Sequence, residues 1–209
     1  MFTSRTRITL AGTGIAAALL IAGCSSGSGG SSTSTTMTPM ANMPGMSQSS
    51  ASSTAPTRTD FNDADVTFLD MMYPHHAQAV QMAKLVPSRS QNPQLIALAA
   101  NIEKAQAPEM TQFADLLHTF GKPAPSATTD HPMNGVMSQD QMTALQNSTG
   151  AAFDAMWLKM MVEHHQGAVT MSNTELAGGV NADAKALART IITAQQAEIT
   201  QMEGMLKQS

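Results

Sequence analysis

The chain has 209 residues, a formal net charge of −4, 12% charged and 4% aromatic residues, and one cysteine. An acidic chain with no basic cluster excludes nucleic acid as the partner. A single cysteine excludes an intramolecular disulfide. The near absence of aromatic and alternating β-branched stretches argues against a sheet.

Residues 1–23 read as an export signal: Arg5 and Arg7 precede the apolar run Ile15–Ile21. That run is shorter than the ~20 residues needed to span a bilayer. It ends in Ile21-Ala22-Gly23-Cys24, which resembles a bacterial lipobox and makes Cys24 the lipidation site. Removing residues 1–23 takes the formal charge from −4 to −6, which suits a protein that attracts cations. Residues 24–59 are rich in Ser, Thr, Gly and Pro and read as a flexible tether. The remainder, 60–208, is long enough for one single-core domain.

Within that domain the first helix is expected from Ala64 to Leu85, where Phe68, Met71, Met72, His75, Ala79 and Met82 follow i, i+3, i+4 spacing and glycine is absent. Pro87 and the Ser88-Arg89-Ser90-Gln91 stretch are expected to end it. Asn92-Pro93 supplies an N-cap and a first-turn proline for a second helix, which Gly121 closes. Ser138 to Gln141 resembles a capping box for a short helix within the linker 122–148. A long helix runs from about Thr149 to Leu176, where Gly178-Gly179 stops it, and Asn181 caps a last helix. Pro74 and Pro108 fall inside helices, where a proline removes one backbone donor and favours a kink.

The most informative pattern is a repeat. Met-Met-x-x-His-His-x-x-Ala-Val-x-Met occurs at Met71–Met82 and again at Met160–Met171, a constant offset of 89 residues. The offset persists without a gap: Asn92, Leu98, Ile102, Gln106 and Glu109 match Asn181, Leu187, Ile191, Gln195 and Glu198. The repeating unit is therefore a helical hairpin, at about 60–121 and 149–208, and the expected fold is all-α: a ferritin-like antiparallel four-helix bundle built from two hairpins.

Four of the six histidines lie in the repeated motif, one turn from paired methionines. Imidazole and thioether are donors that copper prefers, with thioether favouring Cu(I) over Cu(II). The candidate ligands are Met71, Met72, His75, His76 and Met82, with Met160, Met161, His164, His165 and Met171. Met-x3-His pairs share a helical stripe, whereas adjacent histidines are rotated by about 100°, so one faces the core and the other a neighbouring seam or the surface. Met71 and Met82 are ~16 Å apart along the axis, too far to share an ion. Two sites per repeat, or one between repeats, is expected. Gln106 and Glu109, with Gln195 and Glu198, are placed to orient histidine nitrogens or to bind a harder metal such as iron. Methionine is also a common core filler, and on that ground Met82 and Met171 taken alone are assigned to packing.

A second methionine pattern lies in the tether, where no core explains it: Met37, Met40, Met43 and Met46. The segment His131-Pro132-Met133, with Met137 and then Met142, is a weaker version. These are auxiliary Cu(I) candidates. His118 stands alone and reads as structural.

The repeated motif, the preceding Gly135-Val136-Met137-Ser138 element and the export signal together resemble the bacterial family called domain of unknown function 305, over about Asp60 to Gln208. The resemblance implies a ferritin-like four-helix protein, exported, of a kind associated in some members with copper, with the motif Met and His residues as the positions carried over. The chain departs from a di-iron ferritin: it lacks Glu-x-x-His pairs and four repeated inward carboxylates. The leading reading is an extracytoplasmic, lipid-anchored copper-binding protein that sequesters, buffers or passes on copper. Its partners are copper ions, the membrane through Cys24, a second copy of the chain and a copper-accepting protein. Two other readings use the same residues: a metal-free structural or interaction lipoprotein, and a ferritin-like metal oxidase. Neither a nucleophile elbow nor a Ser-His-Asp pattern is present to support a hydrolase.

Overall fold

The computed structural model describes residues 58–128 and 133–208. Every regular element among them is helical: α1 (Asp63–Arg89), α2 (Pro93–Thr119), α3 (Gln139–Asn147), α4 (Gly150–Gly178) and α5 (Ala182–Leu206).

The helix starts are set by local side chains. The Asn92 side chain accepts from the Gln94 and Leu95 N–H groups, and Asn181 accepts from Asp183 and Ala184. Each cap satisfies donors that the first turn leaves without intrahelical partners. Ser138 and Gln141 form the expected reciprocal box on α3. A second box, Asn62 with Asp65, opens α1.

Helix ends depart slightly from expectation. Pro87 lies inside the last turn of α1 rather than ending it, because a proline there removes only one hydrogen bond. The chain leaves the helix at Ser90, extended at φ −110° and ψ 145°, three residues before Pro93. Gly178 likewise belongs to α4, and Gly179 is the residue that ends it. The helices run on through Pro74 and Pro108.

α1 packs on α2 and α4 on α5, giving the two hairpins, and the hairpins meet along α1 and α4. The apolar core is in two parts. One joins Ala79–Val86 of α1, Leu95–Ile102 of α2, Met142 and Leu145 of α3, Phe153–Met161 of α4, and Met202 and Met205 of α5. The other joins Phe68, Leu69 and Met72 of α1, Phe113 to Phe120 at the end of α2, Ala168 of α4, and Ala184 to Ile191 of α5. In sequence, the segment of each helix between its two cluster segments carries the polar residues His75, His76, Gln106, His164, His165 and Gln195, all buried. Each fully buried Leu, Phe or Met contributes ~1.5–3 kcal/mol, which offsets the cost of that polar layer.

The linker is fastened across α1 and α4. The Gln78 amide donates to the Met137 carbonyl at 2.9 Å and accepts from the Met137 N–H at 2.7 Å. Gly135, at φ +81°, lies so close to α4 that an added Cβ would fall 2.6 Å from the Glu163 carbonyl oxygen. A Cβ on Gly167 would collide with the Asn134 carbonyl. Only glycine at both positions lets two backbones approach this closely.

Candidate metal centre

The paired histidines of each repeat sit mid-helix, and all four are 0% exposed. The two faces of each pair are both inside: His75 and His164 meet across the α1–α4 contact with ring centroids 3.9 Å apart, while His76 and His165 turn toward α2 and α5. The surface-facing option for one member of each pair is thus not the one adopted. A helix held between a hairpin partner and a second hairpin has more than one buried face.

Hydrogen bonds fix most of the ring orientations. His75 Nε2–H donates to the Asn134 carbonyl at 3.2 Å. His76 Nε2–H donates to Glu109 Oε2 at 2.8 Å, and His165 Nε2–H donates to Glu198 Oε2 at 2.7 Å. In each case the acceptor leaves the proton on Nε2 and the lone pair on Nδ1. Those three Nδ1 atoms are buried and have no partner, and His164, beside the His75 backbone, has no side-chain partner at either nitrogen. A carboxylate or carbonyl holding one imidazole nitrogen while the other is left as a bare lone pair is the arrangement that prepares histidine for a metal. Burial drives the histidines toward neutrality: His75 is lowered to about 3, chiefly by desolvation with His76 adding, and His76 and His164 are lowered for the same first reason. Gln106 and Gln195 are also buried, with no partner at either amide atom, so neither orients a histidine. Among the described residues no group of three or more His, Cys, Asp or Glu side chains is arranged to hold an ion.

The methionines divide sharply. Met72, Met82, Met160 and Met161 are buried within the two apolar clusters. Met137 and Met142 join them at the α3 end. Met71 and Met171, in contrast, are only half-buried and line one cavity of about 480 Å³ together with Met133. The three thioethers come from α1, α4 and the linker, and no spacing in the chain groups them. Met71 shares this cavity with Met171 of the other repeat, not with Met82 of its own helix. Asn134, whose carbonyl holds His75, lines the same cavity. The cavity therefore adjoins the histidine pair through the linker. His118 is exposed in the last turn of α2. Cys24, Met37, Met40, Met43, Met46 and His131 lie outside the described residues.

Two acidic residues belong to no motif of the sequence. Asp65 and Glu175 are 0% and 1% exposed and face each other between the start of α1 and the end of α4. Asp65 accepts from the N–H groups of Asn62, Val180 and Asn181 and is lowered by them, although its own burial acts against that. Glu175 is raised to about 7 by burial first and then by Asp65, with Lys185 opposing. Neither Glu175 oxygen meets a donor, so a hydrogen bond to Asp65 exists only while one of the two carboxyls carries a proton. One signal in the chain does single out Glu175: the 89-residue offset aligns it with Val86, a carboxylate where the other repeat has an apolar residue.

Comparison with known proteins places these observations in a family. The domain of unknown function DUF305 matches residues 65–206. The chain is similar to a DUF305 fragment from Deinococcus radiodurans, at 31% identity and a TM-score of 0.65 over 71% of this chain and 98% of that one. It is similar to a DUF305 protein from Streptomyces coelicolor described as secreted, at 27% identity and a TM-score of 0.64 over 69% and 93%. It is also similar to CopM solved with Cu(II), at 29% identity and a TM-score of 0.61 over 69% and 96%; CopM has further been solved with Cu(I) and with silver. No curated protein matches the chain. No helix among the described residues is long and apolar enough to cross a membrane. With the repeated Met/His motif, the helical hairpins and a family match spanning both, the chain belongs to the DUF305 family.

Proposed function

We propose that this protein is an extracytoplasmic copper-binding lipoprotein, anchored through Cys24, that takes Cu(I) as cargo at the cavity lined by Met71, Met133 and Met171 and buffers it or passes it on. The observation that carries the reading is the convergence of three thioethers from three separate chain segments on one open cavity, a donor set suited to a soft monovalent ion. The copper- and silver-bound forms of CopM support the same reading. His75 and His164, with unpartnered nitrogens behind the Asn134 carbonyl, are the imidazole donors next inward and suit Cu(II) as well as Cu(I). Reaching them requires the Asn134–Gly135 segment to move. The auxiliary methionines Met37, Met40, Met43 and Met46 add capture capacity in the tether.

The oxidase alternative is less well served, since Glu109 and Glu198, the carboxylates it would need, each hold a histidine. The metal-free alternative leaves the unpartnered histidine nitrogens without a use.

The test is a competitive Cu(I) titration of the full chain beside a Met71→Leu/Met133→Leu/Met171→Leu variant and a variant with His75, His76, His164 and His165 changed to Ala. Tight binding weakened by the leucine set supports the thioether site; binding lost only in the alanine set moves the site to the histidines; no binding in the parent refutes the proposal. Replacing Met37, Met40, Met43 and Met46 with Leu should lower Cu(I) stoichiometry and leave thermal stability unchanged, and an unchanged stoichiometry removes the tether from the copper function.

A further inference from the structure

The cavity that holds Met71, Met133 and Met171 has one wall of a different kind. Glu175 lines it, one helical turn beyond Met171 on α4. This carboxyl is 1% exposed and no N–H or hydroxyl donates to either oxygen; its polar neighbour is Asp65, which it can bond only while one of the two carboxyls carries a proton, so the ionised group has both oxygens free. Asp65, beside it, is differently placed: three backbone N–H groups already occupy its oxygens. On its other side Glu175 lies against Gly179, where a Cβ would collide with the carboxyl. A buried carboxyl without donors is unfavourable for the fold, and the equivalent position in the first repeat dispenses with it, since Val86 stands there fully buried.

A ligand explains the pairing of this group with three thioethers. Thioethers are neutral, so a monovalent cation held by them alone would leave an uncompensated positive charge in a partly desolvated site. One carboxylate with free lone pairs neutralises that charge and adds an oxygen donor. We infer that Glu175 is a ligand of this cavity: a soft monovalent cation binds to the thioethers of Met71, Met133 and Met171 and to a carboxylate oxygen of Glu175, giving a complex with no net charge. Asp65 stays outside the donor set and holds the ends of α1, α4 and α5 in place. The inference rests on the thioether site proposed above and adds to it the residue that matches the ion's charge.

The test uses silver nitrate, a redox-inert monovalent probe, on the full chain at pH 8. Affinity is read by competition and stoichiometry by equilibrium dialysis, with circular dichroism to monitor the fold. Four proteins are compared: the parent, Glu175→Gln, Glu175→Val (the residue of the other repeat), and Met71→Leu/Met171→Leu. The expected result is that Glu175→Gln and Glu175→Val each remain helical and weaken one silver site by about tenfold or more, equivalent to about 1.4 kcal/mol, and that Met71→Leu/Met171→Leu weakens the same site. Parent-like silver affinity in both Glu175 variants, with the methionine variant impaired, overturns the role of Glu175 and leaves the thioether site standing. Parent-like affinity in the methionine variant overturns the thioether reading itself.

Discussion

The two ends of the bundle are related by the repeat, yet one is open and the other closed. At the open end, Phe68, Met71, Met171 and Glu175 surround a cavity beside Met133. Their counterparts at the 89-residue offset are Trp157, Met160, Met82 and Val86, and these sit together in a filled apolar cluster with Met137 and Met142. Trp157 is the larger ring, and its Nε1–H donates to the Met82 carbonyl at 2.9 Å, whereas Phe68 lines the cavity. Val86 replaces a carboxylate, and two linker and α3 methionines complete the packing. The same Met and His positions thus recur at both ends, and a few differences in volume and polarity leave one end filled and the other with a cavity.

The closed end depends most on Trp157. Trp157→Ala should destabilise the fold by about 3–5 kcal/mol through the cavity it leaves and the loss of its hydrogen bond to the Met82 carbonyl. Urea unfolding reads this directly, and a loss below about 1 kcal/mol would mean the closed end is not held by that ring.

Gly167→Ala forces the Asn134–Gly135 segment off α4 and should cost about 1–3 kcal/mol by overpacking. It should also weaken silver binding at the open end, because Met133 travels with that segment. Parent-like stability together with parent-like silver affinity would show that the linker need not lie against α4.

Glu175 gives a pH signature that the closed end cannot. Its folded pKa, about 7, lies above the ordinary carboxyl value of 4.5. The folded state therefore holds a proton that the unfolded chain has released, and this contribution is present below about 4.5 and is lost as pH rises through about 7. Asp65, Lys185 and Asp63 are the charged neighbours at this end. The buried neutral histidines His75, His76 and His164 act with the opposite sign, since their lowered values make stability fall as pH drops below their ordinary 6.5. The difference between parent and Glu175→Gln isolates the carboxyl: metal-free Glu175→Gln should gain on the parent from pH 5 to about pH 7 in thermal unfolding and level off by pH 8. A constant difference across that range would place the ionisation of Glu175 elsewhere.

The mildest changes sharpen the contrast best. Met71→Leu/Met171→Leu and Met82→Leu/Met160→Leu should each change stability by less than about 1.5 kcal/mol per site, since leucine nearly conserves methionine volume. Only the first pair should lower copper or silver affinity. Equal losses in both would make the two ends functionally alike.

Much of the fold is legible in the chain of residues alone. Asn92, Ser138 and Asn181 cap helices because a side chain two or three residues from a backbone N–H acts locally, and Gly121 closes α2 at φ +70° for an equally local reason. Pro87 has the look of a stop signal but is none, because its ring lies at the exposed side of a last turn, where the lost bond is tolerated. The histidines are legible as a special pair, but their common burial is not, since helical periodicity records angles around one helix and not how many neighbours surround it.

By itself, the sequence determined the helices, the doubled hairpin, the repeated Met/His motif and the chemical preference of its donors, because these follow from residue type and short-range spacing. Only the tertiary structure decided which methionines line a cavity, that Met71 shares it with Met171 and Met133, that Asn134 holds His75, and that Glu175 is buried without a donor. Those relations join residues far apart in the chain, and the packing of α1 against α4 with the linker across them is what brings them together.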